Sequence, residues 1–513
     1  MLPALLLQLF IGGASAAALT LQIQNPFDSI FGNQPWKHYP EPHPNPGKTI
    51  YETIVNDGRF ISLTKAINFV GDPIIDVLND DSHSITFFAV PDTALHHGRD
   101  DSEGEIHPTY REDYGRLFDV ALAGSSFERR DLVSAFGDPT PDFASIISAI
   151  DSVSDYFVAD DGDGDHDGDD DDPEKERRRK VIKYIVNAVL QYHVLPFEAK
   201  ADGLLENNTY PTHLKVPHAM GGHHQRVRVS HKYKKHKVKT FLNHHSKIVV
   251  PDVQASNGYI HVINHPIIPP GPVFQELFLF QNYFSIFTSA LQRTGLTNDL
   301  DLRYKWDDDS DEGHFEGSPA VTVFAVPNKA FAKLPKRLQW YLFSPFGTNT
   351  LRKLLEYHIV PGVVAHTDHI YNRTAEDKPE VVKRCTCAAC AENALKKKHP
   401  HREPISAVQV TLDTRFTNHT LDWLVERNKL TFPGHGKHRR PDEYETNVYV
   451  NYHKIKMVDI VGLNGVIHVV DQILCPWHHD GDDDHHHHHG DRDDDGWEGW
   501  ESWLPQLAAD QSS

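Results

Sequence analysis

A nine-residue phrase occurs twice in this chain, 236 positions apart, as TFFAVPDTA from Thr86 and as TVFAVPNKA from Thr322. Two further landmarks follow each copy in the same order, a Tyr-His pair and an Asn-Gly-x-Ile-His-Val segment, which begin at Tyr192, Asn257, Tyr357 and Asn464. Solenoid and propeller repeats recur about every 20 to 50 residues. The much longer spacing here predicts two homologous globular domains, and the chain of 513 residues is long enough for each to bury a core.

Each copy of the phrase predicts a core strand that turns into a helix. The five residues that begin at Thr86 and at Thr322 are rich in strand formers. A proline follows each run, and because proline has no N–H for a ladder it ends the strand. Asp92 and Asn328 come next, and we expect each to cap the following helix with its side-chain oxygen.

The Asn-Gly steps predict a hairpin that closes each domain. Asn-Gly tolerates positive φ at both central positions of a two-residue turn, and strand-forming residues flank both Asn257-Gly258 and Asn464-Gly465. We therefore expect a valine at position 465 to be strained and to destabilise the domain. Helical patterns such as residues 352–358 lie between the landmarks, so the predicted fold class is α+β.

Together these landmarks resemble the fasciclin domain family, over residues 48–270 and 273–477. The resemblance implies two tandem domains, each a wedge of β-strands flanked by helices, similar to secreted fungal fasciclin-like proteins that act in adhesion or in the matrix. It also implies a role in partner binding for the two Tyr-His pairs, which are Tyr192, His193, Tyr357 and His358. The alternative is that these side chains are core residues, because aromatic residues beside apolar runs are generally buried.

The two domains differ in where extra residues are inserted. The first has an acidic insert at about 159–174, and the second has a cysteine-containing insert at about 372–404. Runs of like charge are typical of solvated, disordered segments. We therefore expect these inserts and an Asp/His-rich tail over 478–513 to be disordered. The net charge of −21 argues against nucleic acid as a partner, since phosphate contacts require a basic face.

The first 16 residues predict a signal peptide, with an apolar run followed by Ala-Ser-Ala. A core helix or an anchor is the alternative. Secretion would expose three glycosylation sequons, at Asn207, Asn372 and Asn418. An oxidising compartment also favours two disulfides among the four cysteines, with Cys475 bonded to one of Cys385, Cys387 and Cys390. A metal site that joins this cluster to His399 and His401 is the alternative.

Two segments contain candidate metal ligands. The acidic insert fits the register of a calcium loop, with Asp163, Asp165, Asp167 and a bidentate Glu174. Diffuse attraction of cations is the alternative, because an Asp/Gly-rich run also matches by chance. In the tail, five histidines suit weak binding of Zn²⁺, Ni²⁺ or Cu²⁺, and they are His485, His486, His487, His488 and His489. No cofactor is predicted to be required.

Residues 226–239 form a dense basic segment whose alternation predicts a strand or hairpin with a cationic face. Its candidate partner-binding residues are Arg226, Arg228, Lys232, Lys234, Lys235 and Lys237. Two interpretations stay open at this point. The face is either a sheet edge that lysines protect from aggregation, or a dock for acidic polysaccharide or for the Asp runs of this chain.

The 36 histidines suggest a response to pH, since protonating all of them would change the formal charge from −21 to +15. The expectation is that binding to an acidic glycan strengthens below about pH 6 as exposed histidines become charged. The histidines that we expect to be exposed are His223, His224, His231, His236, His244, His245, His478, His479 and 485–489.

The sequence contains no G-x-S-x-G, H-E-x-x-H, P-loop or dinucleotide fingerprint. We therefore expect a protein that binds cell-surface or matrix proteins or acidic polysaccharide, outside the cell or in its wall, and not an enzyme. The alternative is a metal- or pH-responsive protein in the lumen of a vacuole, acting through its His/Asp-rich inserts.

Overall fold

The computed structural model describes residues 47–95, 173–234, 237–243, 245–307, 312–372, 401–432, 442–476, 497 and 499–509. The signal-peptide segment, the three Asp ligands, Cys385, Cys387, Cys390 and the five tail histidines lie outside these ranges. The predictions that involve them stay predictions.

Eleven α-helices lie within the described residues. They are α1 (Ile50–Val55), α2 (Ile61–Val70), α3 (Asp72–Asn79), α4 (Asp92–Leu95), α5 (Pro173–Tyr192), α6 (Val273–Leu279), α7 (Gln281–Thr294), α8 (Asn328–Lys333), α9 (Lys336–Leu342), α10 (Thr348–Tyr357) and α11 (Trp500–Ala509). None of them is long and apolar enough to cross a membrane.

The strands alternate with these helices. They are β1 (Ile85–Ala89), β2 (Val194–Leu195), β3 (Thr209–Lys215), β4 (His224–Lys234), β5 (Lys237–Leu242), β6 (Ser246–Ala255), β7 (Gly258–Ile263), β8 (Leu302–Asp307), β9 (Glu312–Gly317), β10 (Val321–Ala325), β11 (Ile359–Pro361), β12 (Val363–Ala365), β13 (Ile370–Asn372), β14 (His401–Asp413), β15 (Thr420–Thr431), β16 (Glu443–Val450), β17 (His453–Lys454), β18 (Met457–Gly462) and β19 (Gly465–Val469). Mixed helix and sheet in both halves confirm the α+β class.

The two halves repeat one sheet topology. The first sheet has the order β2-β1-β7-β6-β5-β4-β3, and the second has the order β11-β10-β19-β18. In each, the strand of the repeated phrase runs parallel to the strand of the Asn-Gly segment, with Phe87 opposite Ile260 and Val323 opposite Ile467. Every residue of β1 and β10 is buried. The repeated phrase is therefore the central strand of each domain.

The closing hairpins form as predicted, but their turns differ from the prediction. Ala255 pairs with Gly258 and Gly462 pairs with Gly465, so each glycine begins a strand instead of occupying the turn. The asparagine before each glycine does not adopt positive φ. The Asn-Gly step is needed for tertiary contacts instead, because the asparagine bonds the first helix of its domain and the glycine lies against β1 or β10.

The two predicted capping residues accept hydrogen bonds from neighbouring helices and not from their own. Asp92 accepts hydrogen bonds from the backbone N–H groups of Ile61 and Ser62, at 3.0 and 2.8 Å, and so caps the start of α2. Asn328 similarly accepts from Ile286 N in α7 at 2.9 Å. The prediction that each caps its own helix is wrong, because a neighbouring helix presents its amide groups to the same side chain.

The C-terminal segment departs from the expected disordered tail. Helix α11 packs through Trp500, Trp503 and Leu504 against the core of the second half, and the ring centroid of Trp500 lies 5.5 Å from that of Tyr341. Cys475 is partly buried at the edge of the same core. The Asp/His-rich segment therefore leads into a helix that is packed on the domain.

Candidate functional site

The Tyr-His pairs lie inside the two domains. Tyr192 donates its hydroxyl hydrogen to Arg226 O at 3.0 Å and accepts from Asn243 Nδ2 at 2.9 Å. Tyr357 makes the same two contacts, with Thr420 O at 3.1 Å and Asn451 Nδ2 at 2.7 Å. Burial raises the pKa of Tyr357 to about 12, so its hydroxyl stays protonated. Each tyrosine is the last residue of a helix and joins that helix to a strand that follows it in the chain.

The histidine of each pair bridges two backbone segments. His193 Nδ1 lies 2.7 Å from Val189 O, and its Nε2 accepts from Ile267 N at 3.1 Å. His358 does the same with Leu354 O at 2.7 Å and Leu474 N at 2.9 Å. Burial lowers the pKa of both histidines to about 4, so they are neutral at pH 7.

All four Tyr-His side chains are therefore core residues. Each is at most 3% exposed, and each polar atom that would define a binding site is occupied by a backbone or amide partner. The implied role of Tyr192, His193, Tyr357 and His358 in direct partner contact is wrong for the folded protein. The alternative interpretation, in which they are buried, matches their placement.

The Asn-Gly-x-Ile-His-Val segments are also architectural. The Asn257 amide donates to Leu78 O and Asp80 O, while its oxygen accepts from Ile50 N. Asn464 repeats these contacts with Leu300 O, Ser318 O and Val273 N. Each asparagine thus ties the closing hairpin to the first helix of its domain.

The glycine after each asparagine permits close approach of the central strand. A Cβ atom at Gly465 would lie 1.9 Å from Val321 O, and one at Gly258 would lie 1.8 Å from Ile85 O. Gly258 has φ +139°, whereas Gly465 does not lie in the left-handed region. The expected strain at Gly465 therefore comes from collision with β10 and not from positive φ.

Replacing Gly465 by valine is expected to lower the free energy of unfolding by about 3 kcal/mol, because the side chain must displace the backbone of β10. Chemical denaturation measures the change. Gly203→Ala is the control, since a Cβ there meets nothing within 4 Å. A Gly465→Val protein with normal stability and lost partner binding would contradict the architectural role.

A polar junction joins the two halves of the chain. Residues of β3 and β4 in the first half contact the 366–368 and 458–463 segments of the second half. Gln225 Nε2 donates to Leu463 O at 3.1 Å, and Arg228 Nε donates to Val458 O at 3.0 Å. Thr209 Oγ1 donates to Asp368 Oδ1 at 2.7 Å. Because these groups are fixed by several strands, the junction sets the relative orientation of the halves.

Asp459 lies at the centre of this junction and is fully buried. Its carboxylate accepts from Thr367 N at 2.9 Å, from Thr367 Oγ1 and from Asn208 Nδ2 at 3.2 Å. Its Oδ1 is also 3.6 Å from His366 Nδ1. Burial alone would raise the pKa of Asp459, but the adjacent His366 and His468 and the Thr367 hydroxyl outweigh burial and hold it well below its usual range.

The candidate partner-binding arginines belong to this junction. Arg226 forms an ion pair with Asp368, and the two side chains are 11% and 5% exposed. Burial lowers the pKa of Arg228 to about 10 although the charge of Asp459 raises it, so Arg228 stays charged. The prediction that both arginines contribute to an exposed cationic face is therefore wrong, because the second half of the chain covers them.

The junction is specific to the order of the two domains. In the second half, Asp422 is equivalent to Arg228, since each backbone N–H donates to an asparagine that also contacts the buried tyrosine. Conversely, Asp252 is the first-half equivalent of Asp459, because each N–H donates to Nδ1 of the histidine in the closing strand. A second copy of the chain whose first half joined this second half in the same way would place Asp422 against Asp252, and like charges would oppose it.

The basic segment forms the predicted hairpin from β4 and β5. Its register places Lys232 opposite Lys239 and Lys234 opposite Lys237. Lys232 Nζ lies 5.0 Å from the ring centroid of Phe241. Lys235 lies outside the described residues. We call the set of register positions Lys232, Lys234, Lys237 and Lys239, which fall on one face of the hairpin, the lysine face.

Some histidines that were expected to be exposed are shielded. His231 Nε2 lies 3.0 Å from Leu204 O, and burial lowers its pKa to about 4. Burial also lowers the pKa of His224. His236, His244 and the tail histidines lie outside the described residues. The formal charge of +15 for full protonation is therefore not reached near pH 5.5 in the folded protein, because buried histidines such as His231 stay neutral at that pH.

The other candidate residues have mixed placements. Among the sequons, Asn418 is exposed in the turn between β14 and β15, Asn207 is partly buried, and Asn372 ends β13. Glu174 lies in α5. Across the described ranges, no group of three or more His, Cys, Asp or Glu side chains is placed to hold a metal ion.

Comparison with known proteins gives a family match to both halves. The profile of the Fasciclin domain matches residues 172–269 and 282–385. Each matched range contains a Tyr-His pair. Strands β1 and β19 lie outside the matched ranges, on the far side of the inserts. The equivalent sheets show that these two strands complete the matched domains.

Two curated relatives are distant and much longer than the matched region. Stabilin-2 of Rattus norvegicus is 26% identical over 132 residues, which is 23% of this chain and 8% of that protein. Aurofusarin biosynthesis cluster protein S of Gibberella zeae is 27% identical over 155 residues, which is 30% of this chain and 33% of that protein. The match thus spans a third or less of either relative.

Among solved structures, a FAS1 domain pair from the insect cell adhesion molecule Fasciclin I aligns with 82% of this chain and 97% of its own. Its sequence identity to this chain is 14% and the TM-score is 0.27.

Proposed function

The chain carries two tandem fasciclin domains, and on that premise we propose that it is a secreted adhesion or matrix protein that acts by binding an acidic polysaccharide. Fasciclin domains are adhesion-related extracellular domains. The observation that supports the ligand class is the lysine face of the first domain.

The lysine face concentrates positive charge in a chain whose net charge is −21. Like charges directly opposite each other on a sheet are destabilising, and this hairpin carries two such pairs, at Lys232–Lys239 and Lys234–Lys237. Burial lowers the pKa of Lys247 in the adjacent strand, and the charge of Lys239 lowers it further. An anionic ligand would relieve this repulsion, and a polymer of carboxylates would span the pairs.

The carboxylated glycan polygalacturonate provides the test. We expect the full chain to bind it at low salt and Lys232→Gln/Lys239→Gln to bind about tenfold more weakly, because two cations of the face are removed. Added salt should weaken binding by screening. Isothermal titration calorimetry measures the affinities.

Lys454→Gln/Lys456→Gln is the matched control, since it removes the same charge from exposed positions of the second domain. We expect its affinity for the glycan to equal that of the unmodified chain. Equal weakening by the two double variants would mean that overall charge and not the lysine face attracts the glycan, and the proposal would fail.

The alternative function, a metal- or pH-responsive protein in a vacuole, depends on the His/Asp-rich segments outside the described residues. The histidines within the described core argue against a role in an acidic lumen, because burial lowers the pKa of His193 and His358 to about 4 and acid then favours the unfolded state.

A further inference from the structure

Two large aromatic side chains of the second domain lie in solvent. Trp340 in α9 is 81% exposed, and Phe346 in the 3₁₀ turn Pro345–Gly347 is 87% exposed. The structure describes the side chains of four other tryptophans, and none is more than 9% exposed; they are Trp423, Trp497, Trp500 and Trp503. Trp340 is therefore the exception among the described tryptophans, although Tyr452 is similarly exposed, at 80%.

The exposed aromatic residues are held on a well-ordered framework of contacts. Leu338 and Leu342 anchor α9 in the core, and Trp340 lies on the opposite side of the helix. A Cβ at Gly347 would lie 2.0 Å from Tyr341 O, so the turn that carries Phe346 packs directly on the end of α9.

Side-chain hydrogen bonds fix this turn further. Arg293 of α7 donates to Phe343 O at 2.8 Å and to Ser344 O at 2.9 Å. Ser344 Oγ donates to Tyr341 O at 2.7 Å and accepts from Gly347 N at 3.3 Å. The two aromatic rings thus project from adjacent segments whose backbone is already constrained.

Four exposed cations lie close to the pair along the chain. No aspartate or glutamate occurs between residues 317 and 355, whereas Lys329, Lys333, Lys336 and Arg337 all lie exposed on α8 and α9. Lys336 and Arg337 precede Trp340 by four and three positions and so share its side of α9. Lys333 Nζ donates to Asp471 O at 3.2 Å. We call Trp340, Phe346 and these four cations the aromatic–cationic surface.

We propose that the aromatic–cationic surface docks the second domain on an anionic lipid bilayer. Tryptophan and phenylalanine beside lysine and arginine are the combination that inserts at the boundary between headgroups and acyl chains. Each cation near an anionic bilayer strengthens binding about fivefold. The four cations therefore complement phosphate and carboxylate headgroups while the two rings enter the apolar layer.

The size of the surface favours a bilayer over a protein partner. Stable protein interfaces bury about 1,200 Å² or more in total, and two projecting rings among solvated cations do not supply a packed centre of that kind. A bilayer requires no complementary shape, so two projecting rings beside cations are enough for contact. This surface is on the second domain and is separate from the lysine face.

Vesicle sedimentation with the full chain tests the proposal. The vesicles are phosphatidylcholine with phosphatidylserine, and phosphatidylcholine alone. We expect binding to the first and at least about tenfold weaker binding to the second. Trp340→Ala/Phe346→Ala should weaken binding to the phosphatidylserine vesicles at least about tenfold. The conservative variant Trp340→Phe/Phe346→Leu should retain most of it.

Two further variants separate charge from apolar insertion. Lys336→Gln/Arg337→Gln should weaken binding to phosphatidylserine vesicles, whereas Lys454→Gln/Lys456→Gln, at exposed positions elsewhere on the second domain, should not. Brominated lipids should quench the fluorescence of Trp340 in the bound state, and this quenching should be absent in Trp340→Phe.

Three results would overturn the proposal. The first is that the unmodified chain fails to bind phosphatidylserine vesicles. The second is that Trp340→Ala/Phe346→Ala binds them as well as the unmodified chain does. The third is that Trp340→Ala/Phe346→Ala loses self-association or glycan binding but keeps vesicle binding. That result would assign the surface to another copy of the chain or to a sugar.

Discussion

Asp459→Ala is expected to lower the free energy of unfolding by about 3–5 kcal/mol, because removing one member of a buried ionic network leaves the others without compensation. Thr367 N and Asn208 Nδ2 lose their acceptor. Arg228 also loses the nearby negative charge that opposes the effect of burial on its pKa. Urea unfolding followed by circular dichroism measures the loss, and separation into two transitions would show that the domains have become uncoupled.

Asp252→Ala is a control provided by the repeat itself. Asp252 and Asp459 have nearly the same positive φ, 59° and 58°, so alanine strains the backbone equally at both positions. The side chain of Asp252 is 39% exposed, whereas that of Asp459 is 0% exposed. The difference between the two variants therefore isolates the junction. Equal losses of stability would show that Asp459 does not couple the domains.

The second large effect is a loss of stability on mild acidification. His193, His358 and His468 each have a pKa lowered to about 4, with burial as the main cause. In the unfolded chain each would titrate near pH 6.5. Between pH 6.5 and pH 4 the unfolded state binds more protons, so stability is complete above this window and decreases as the pH falls through it. From pH 7.5 to 5.5 the three histidines together are expected to cost about 4 kcal/mol.

Other buried groups modify this dependence without reversing it. Burial raises the pKa of Asp301 and of Asp368, and a carboxyl group with a raised pKa favours the folded state as the pH falls. Asp459 contributes stability that is lost only in strong acid, because its pKa is held below the usual range. Between pH 6.5 and 5.5 the histidines therefore dominate.

Denaturation midpoints at pH 7.5, 6.5 and 5.5 provide the measurement. His193→Gln/His358→Gln should reduce the dependence on pH, since an amide can donate and accept in place of the ring but does not titrate. His83→Gln should leave the dependence unchanged, because the His83 side chain is 78% exposed. Equal stability of the unmodified chain at all three pH values would contradict the prediction. A protein with this dependence is poorly suited to an acidic lumen.

Much of the fold was predictable from short-range patterns. The two copies of the repeated phrase predicted the central strands, and β1 and β10 occur where strand-forming residues precede a proline. The helical pattern at residues 352–358 falls largely in α10, and the basic alternation became the β4–β5 hairpin. These predictions succeed because strand and helix periodicity reflect local backbone geometry.

The roles of polar residues were harder to predict. Tyr192 and His193 carried two interpretations because a Tyr-His pair has the same local sequence whether it is buried or exposed. Burial was decided by Arg226 O, Asn243 and Ile267, which lie 34 to 74 residues further along the chain. Gly465 was correctly expected to be sensitive, but its neighbour Val321 is 144 residues earlier, so the cause was not visible in the turn.

By itself, the sequence determined that the chain contains two copies of one α+β domain, because strand-forming runs, prolines and buried apolar residues act through neighbours close along the chain. Only the tertiary structure decided that Arg226 and Arg228 belong to a domain junction and that equivalent aspartates, Asp252 and Asp459, have opposite environments. The physical reason is desolvation. Whether a charged side chain is hydrated or buried depends on which distant surface covers it, and that surface is formed only when both domains have folded and packed together.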